Sequence, residues 1–253
     1  MKEVLIRNFL IKLKSRLLIS KLDQEILDME LEEIAVIHTD FPEKFGIPRQ
    51  SGLVEGLTGT IVFLPKYRNP DAVRGIEEFS HLWLMWGFSK AKKKNWAATV
   101  APPRLGGRTR MGVFATRSPF RPNPLGLSSV RLEKVTIDEK LGPVLTVSGI
   151  DMLDGTPIYD IKPYLPHIDS HPDATGGFAL TVRDNRLEIH FPENLLALIR
   201  EEDRKTVRTL LSEDPRDRFI HDEKRIWGFS YRDYNIRFQV AGNILTVVEV
   251  TYI

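Results

Sequence analysis

The chain has 253 residues, 42% hydrophobic and 28% charged, which suits a folded soluble protein with one large domain or a domain of ~150 residues and a smaller companion. It contains no cysteine, which excludes disulfides, thiolate zinc sites and cysteine nucleophiles and fits a reducing cytoplasmic setting. The net charge of +2 hides an asymmetry: residues 89–131 carry ten Lys/Arg and no Asp or Glu, although residues 29–253 as a whole balance 30 basic against 30 acidic side chains.

Residues 1–28 carry a rough helical stripe, in which Val4, Leu5, Phe9, Leu13 and Leu17 recur with Lys2, Arg7, Lys12 and Lys14 between them. No apolar run there approaches the ~20 residues of a membrane span, and charges break up any signal-peptide core. The segment reads either as an amphipathic surface helix or as an extension dispensable to the domain that follows. From Ile34 the pattern changes to short strands, expected at 33–39, 59–64, 79–88, 110–116, 127–137, 144–150 and 158–161, with Gly, Pro, Asn and Asp clusters between them. Within 127–137 the apolar face shifts by one residue, from Val130 and Leu132 to Val135 and Ile137, which predicts a bulge at Glu133 and Lys134. Closely spaced strands without intervening helices predict a barrel, not a doubly wound sheet.

The polar run HIDSHPDATGG (167–177) predicts a domain boundary. Beyond it, strands are expected near 178–182 and 187–191, then one helix over 193–211 with Leu195, Leu198, Ile199, Val207, Leu210 and Leu211 on its apolar face. A hairpin of 236–240 and 244–251 closes the chain across Ala241, Gly242 and Asn243. The expected protein is therefore mainly β: an extension (1–28), a barrel domain (29–170) and a small α+β domain (175–253).

Several familiar sites are missing. No G-x-G-x-x-G follows a strand, and there is no P-loop and no G-x-S-x-G elbow. His167 and His171 flank Asp169 in the linker with no further histidine nearby, so no metal site is expected. What remains is a set of dense segments: KFGIPRQSGL (44–53), FSHLWL (79–84), PPRLGG (102–107), GVFATRSPFRPNPLGLS (112–128) and DMLDGTP (151–157). Prolines at 119, 122 and 124 fix φ and stiffen the longest loop, as suits preorganised binding. Gly106, Gly107 and Gly126 allow close backbone approach to a ligand. Arg104, Arg108, Arg117 and Arg121 are planar donors for carboxylate or phosphate. Residue types alone indicate anion-binding loops on a β scaffold, and the basic stretch makes RNA the obvious polyanion.

Those segments, in that order, resemble the signature of the TsaA-like family, whose TrmO-type (YaeB-like) members are tRNA (adenine-37, N6)-methyltransferases. The likeness resumes at LLSEDPR (210–216) and YNIRF (234–238), which resemble the family's C-terminal module. The resemblance implies a β-barrel methyltransferase that is not of Rossmann type, a cytoplasmic homodimer without metal or membrane association, S-adenosylmethionine as cofactor, and the tRNA anticodon loop as partner. Carried over by position, cofactor contacts are expected from Ser51, Gly52, Leu53, Ser89, Lys90, Arg117, Leu127, Gly149, Ile150, Asp151 and Met152. Ser89-Lys90 departs from the family, many of whose members have histidine directly after the strand phenylalanine; backbone contacts survive that change and a histidine side-chain role does not.

The family's substrate is adenosine 37 bearing a threonylcarbamoyl group, which makes the N6 proton more acidic, so a carboxylate within reach can assist as base. Asp151, Asp154 and Asp160 are the carboxylates near that site. Asp151 is the candidate catalytic residue, with cofactor binding as its other reading, and Asp154 sits in a turn sequence, DGTP. Arg117 reads as a ligand of cofactor or substrate, or as a brace for the proline loop. Arg104, Arg108 and Arg121 are the RNA-binding candidates, with the threonyl carboxylate as a further partner for Arg104 and Arg121. His81 reads as a hydrogen-bonded core histidine, and Trp83 and Trp86 as core or dimer contacts. The alternative function is a non-catalytic regulatory protein that binds S-adenosylmethionine or RNA on the same fold.

Overall fold

The computed structural model describes residues 30–88, 96–102, 105, 109–181, 186–216 and 222–253. The amphipathic stripe of 1–28 and the candidates Ser89, Lys90, Arg104 and Arg108 lie outside them.

Six strands close a barrel in the order β1-β2-β7-β6-β3-β8. They are β1 (Ala35–Thr39), β2 (Thr58–Phe63), β3 (His81–Gly87), β6 (Leu125–Asp138), β7 (Gly142–Ser148) and β8 (Thr156–Pro163). Every neighbouring pair is antiparallel. Alternation sets the interior: Ile37, Ile61, Leu82, Leu84, Val130, Leu145, Val147 and Ile158 are all buried. In β6, Leu132 faces Val147 and Lys134 faces Thr146, so Glu133 is the unpaired residue of the bulge that the phase slip predicts.

The expected strand at 110–116 is a correction. Only Met111–Gly112 (β5) is extended, paired with Thr99–Val100 (β4) in a separate ribbon. Val113–Ala115 then makes a 3-10 turn, with the Val113 N–H bonded to Ala98 O at 2.9 Å. Burial of Val113 anchors that turn.

The C-terminal sheet runs β10 (Trp227–Tyr231), β11 (Tyr234–Ala241), β12 (Ile244–Tyr252), β9 (Glu188–His190), with β9 parallel to β12. Ala241 pairs with Ile244, so the expected closing turn is two residues long, and Gly242 takes the positive φ it needs. Residues 178–181 are a helical turn, not a strand; among the described residues no strand pairs with them. The single helix expected over 193–211 is two, Glu193–Leu196 and Glu201–Ser212. Arg200 breaks it in an extended conformation, donating from its backbone N–H and Nε to the Tyr234 hydroxyl at 3.1 and 2.8 Å. In the second helix Asp203, Thr206, Val207, Leu210 and Leu211 form the buried stripe.

The loop after β1 packs on this sheet. Phe45 stacks on Trp227 with ring centroids 6.0 Å apart, and Phe41 meets Tyr231 at 5.7 Å. Gly46 has φ +91, and a Cβ there would lie 2.6 Å from the Phe229 ring, so only glycine fits. Buried Asp203 accepts from Arg232 Nη1 at 2.6 Å and from the Tyr234 hydroxyl at 3.1 Å. Arg232 in turn reaches Asp40 at 2.9 Å, tying sheet to barrel loop.

Candidate active site

One end of the barrel, where β3 finishes and β6 and β8 begin, opens into a cleft of about 720 Å³. Its apolar wall includes Trp86, Phe88 and Leu127; Lys44, Arg49, Arg117 and Arg121 are its cations. Among the described lining residues Asp151 supplies the one carboxylate.

Asp151 is held from behind. Trp86 Nε1 donates to Ser128 Oγ at 2.9 Å, and that hydroxyl donates to Asp151 Oδ1 at 2.6 Å. Ser128 is 1% exposed, an interior position that would otherwise take an aliphatic residue. The Ser51 backbone N–H also bonds the carboxylate. Burial pushes the Asp151 carboxyl above the ordinary carboxylate range, while the bonds from Ser128 and Ser51 and the nearby Arg117 charge pull against it.

Two glycines join the segments around this group. The Gly52 N–H bonds Gly149 O at 2.9 Å, and both residues have φ +75. Thus the structure brings Ser51, Gly52 and Gly149 together behind Asp151. Leu53 is half-buried beside them, and Ile150 and Met152 are buried in the core, the Met152 carbonyl accepting from Thr39 Oγ1 at 3.1 Å. Asp151 and Leu153 line the cleft in alternation with them.

Arg117 Nη1 bonds Gln50 Oε1, linking the proline loop to the loop after β1. Arg121 Nη1 donates to Thr116 O at 3.2 Å, bracing the proline loop while its side chain lines the cleft. Gly126 serves a different purpose from the one its residue type suggests. A Cβ there would lie 2.2 Å from the Trp86 indole, so the glycine makes room for that ring.

The other carboxylates stand elsewhere. Asp154 accepts from the Thr39 N–H at 3.0 Å and pairs with His38 at 3.2 Å, and Asp160 pairs with Lys162 at 2.9 Å. Asp169, between His167 and His171, accepts from the Leu165 N–H at 2.8 Å and Trp83 Nε1 at 3.0 Å; these bonds lower its pKa. His81 Nδ1 lies 2.9 Å from Ser80 Oγ. Among the described residues no group of three His, Asp or Glu could hold a metal ion, and no helix is long and apolar enough to cross a membrane. The sequence reading misses Lys44, Arg49 and Ser128. All three lie in segments it singles out, but nothing local marks Ser128 as the link from Trp86 to Asp151.

Comparison with known proteins gives a consistent result. The tRNA-methyltransferase O N-terminal domain matches residues 36–170, and the TrmO C-terminal domain matches residues 184–253. The tRNA (adenine(37)-N6)-methyltransferase of Escherichia coli K12 is 41% identical over 220 residues, covering 84% of this chain and 93% of that protein. A Pyrococcus abyssi protein named as a probable S-adenosyl-L-methionine-binding protein is 40% identical over 136 residues, 54% of this chain and 68% of its own length. The crystal structure of TrmO from Pseudomonas aeruginosa superimposes with a TM-score of 0.71 at 31% identity, covering 89% of this chain and 98% of that one.

Proposed function

The chain belongs to the tRNA-methyltransferase O family, and from that premise we propose that it is an S-adenosylmethionine-dependent enzyme that methylates N6 of adenosine 37 in tRNA. The observation that carries the proposal is the span of the match: both family domains are present, and the relationship to the E. coli enzyme covers 93% of that protein's length. We further propose that the adenosine carries a threonylcarbamoyl group and that the enzyme works as a cytoplasmic homodimer. Half-exposed Leu127, apolar at the rim of a cationic cleft, supports a second subunit closing over that side.

The cleft fits S-adenosylmethionine, whose ammonium, carboxylate and adenine call for an anion, cations and an apolar wall. Asp151 is the anion, Arg117 is the cation tied to Gln50, and Trp86, Phe88 and Leu127 form the wall. When bound, the cofactor supplies an electrophilic methyl group on a sulfonium centre. The residues that would hold it are Asp151, Arg117 and Leu127, with the backbone of 51–53 and 149–152.

The protein's own contribution is mainly positioning, which can supply much of the acceleration of a two-reactant displacement. Ser128 and the Ser51 N–H fix the Asp151 carboxylate in one orientation, so a cation docked on it is fixed as well. Arg121 lines the same cleft and can grip the threonyl carboxylate, orienting N6. The bond from Arg117 to Gln50 keeps the proline loop closed against the loop after β1. Mass spectrometry of tRNA nucleosides from cells lacking the gene tests the assignment. The N6-methylated nucleoside should vanish and its unmethylated threonylcarbamoyl precursor accumulate; an unchanged profile would overturn it.

A further inference from the structure

Two large aromatic side chains stand in solvent at the end of the ribbon formed by β4 and β5. Trp96 is 55% exposed and Phe114 71% exposed, yet they stack on each other with centroids 6.2 Å apart and ring planes 28° from parallel. The arrangement is built. The Val113 N–H bonds Ala98 O at 2.9 Å, which sets the turn bearing Phe114 against the strand entered from Trp96. Arg110 then locks the ribbon with two bonds to Thr99, each 2.8 Å. Leaving such rings in water forgoes the hydrophobic gain of covering them.

We propose that Trp96 and Phe114 form a stacking platform for an unpaired base of the RNA substrate, the neighbour of the adenosine taken into the cleft. The proposal rests on the tRNA reading above. Two observations and one requirement of the reaction select RNA as the occupant. The pair lies within the sequence stretch 89–131, which has ten Lys/Arg and no carboxylate; the core of a protein–protein interface is instead depleted of charge, while a basic stretch bearing exposed aromatic residues suits single-stranded nucleic acid. Phe114 is three residues from Arg117, which lines the cleft, and so within about 10 Å of its rim by chain length. An adenosine drawn out of a loop also leaves its neighbour with an uncovered face, and a fixed aromatic surface replaces the lost stacking.

The test uses the purified full chain and a synthetic anticodon stem-loop carrying threonylcarbamoyl-adenosine. Trp96→Ala and Phe114→Ala should each raise the KM for RNA about tenfold, the effect of one lost stacking contact. S-adenosylmethionine affinity by calorimetry and the melting temperature should stay unchanged, and Trp96→Phe should keep most of the RNA affinity. Tryptophan fluorescence should be quenched by the stem-loop in the wild type and far less in Trp96→Phe. Unchanged KM in both alanine variants would overturn the proposal. So would dissociation of a wild-type dimer in those variants, which would make the pair a subunit contact. Failure of the wild type to bind the stem-loop at all would defeat the tRNA reading and the platform with it.

Discussion

Replacing Ser128 with alanine removes the hydroxyl that links Trp86 Nε1 to Asp151 Oδ1. The lost bond is to a charged carboxylate, worth about 1.5–3 kcal/mol, and the buried indole N–H is left without its acceptor. A net loss of about 2 kcal/mol should lower the melting temperature by roughly 4–8 °C in a protein of this size. Asp151→Asn should act in the opposite direction. Burial raises the Asp151 pKa above the ordinary carboxylate range, so the unfolded chain releases this proton first and stability falls as pH rises toward the folded pKa. Above that window the penalty is complete, and asparagine, uncharged but still an acceptor, relieves it. At pH 7 Asp151→Asn should therefore melt at or above wild type while losing most of its S-adenosylmethionine affinity. Ser128→Ala, by pushing the Asp151 pKa higher still, should move the acid limb of cofactor binding to higher pH. Circular dichroism melts and calorimetric titrations across pH read both effects. The reasoning fails if Asp151→Asn melts well below wild type yet binds cofactor normally, or if the acid limb in Ser128→Ala stays in place.

Gly126→Ala should destabilise by about 1–3 kcal/mol and weaken cofactor binding, because the new methyl meets an indole pinned by Ser128; denaturant unfolding and calorimetry check it. Asp203→Ala should cost about 1–3 kcal/mol, because the Tyr234 hydroxyl loses its acceptor while Arg232 keeps only Asp40, and an unchanged denaturation midpoint would show that this cluster is idle. Deleting residues 1–28 should leave the melting temperature within a degree or two of the intact chain; a drop of many degrees would mean that the extension packs on the folded unit.

The barrel was legible because its strands are buried on one face, so apolar alternation repeats and even the Glu133 bulge leaves a phase slip. The break at Arg200 was not, since its cause is the Tyr234 hydroxyl 34 residues along the chain. Strand Trp227–Tyr231 escaped for a related reason: it pairs with Tyr234–Phe238 across a turn in which Arg232, not glycine, takes positive φ. At the candidate site, the motif segments pointed to Arg117, Leu127 and Asp151. The support of Asp151 did not emerge, because Ser128 reaches Trp86 only through the pairing of β3 with β6. Gly126 looked like a place for a ligand, and the pairing gives that space to an indole.

The central claim is methylation of adenosine 37 in a tRNA that already carries threonylcarbamoyl. Purified protein and methyl-labelled S-adenosylmethionine should be incubated with that tRNA and with the same sequence as an unmodified transcript. Label should appear in the modified tRNA alone, at N6 of adenosine 37, with activity falling steeply as salt rises because the basic stretch must meet phosphates. Equal label in the two RNAs would show that the threonylcarbamoyl group is not recognised, and no label in either would contradict the assigned activity itself.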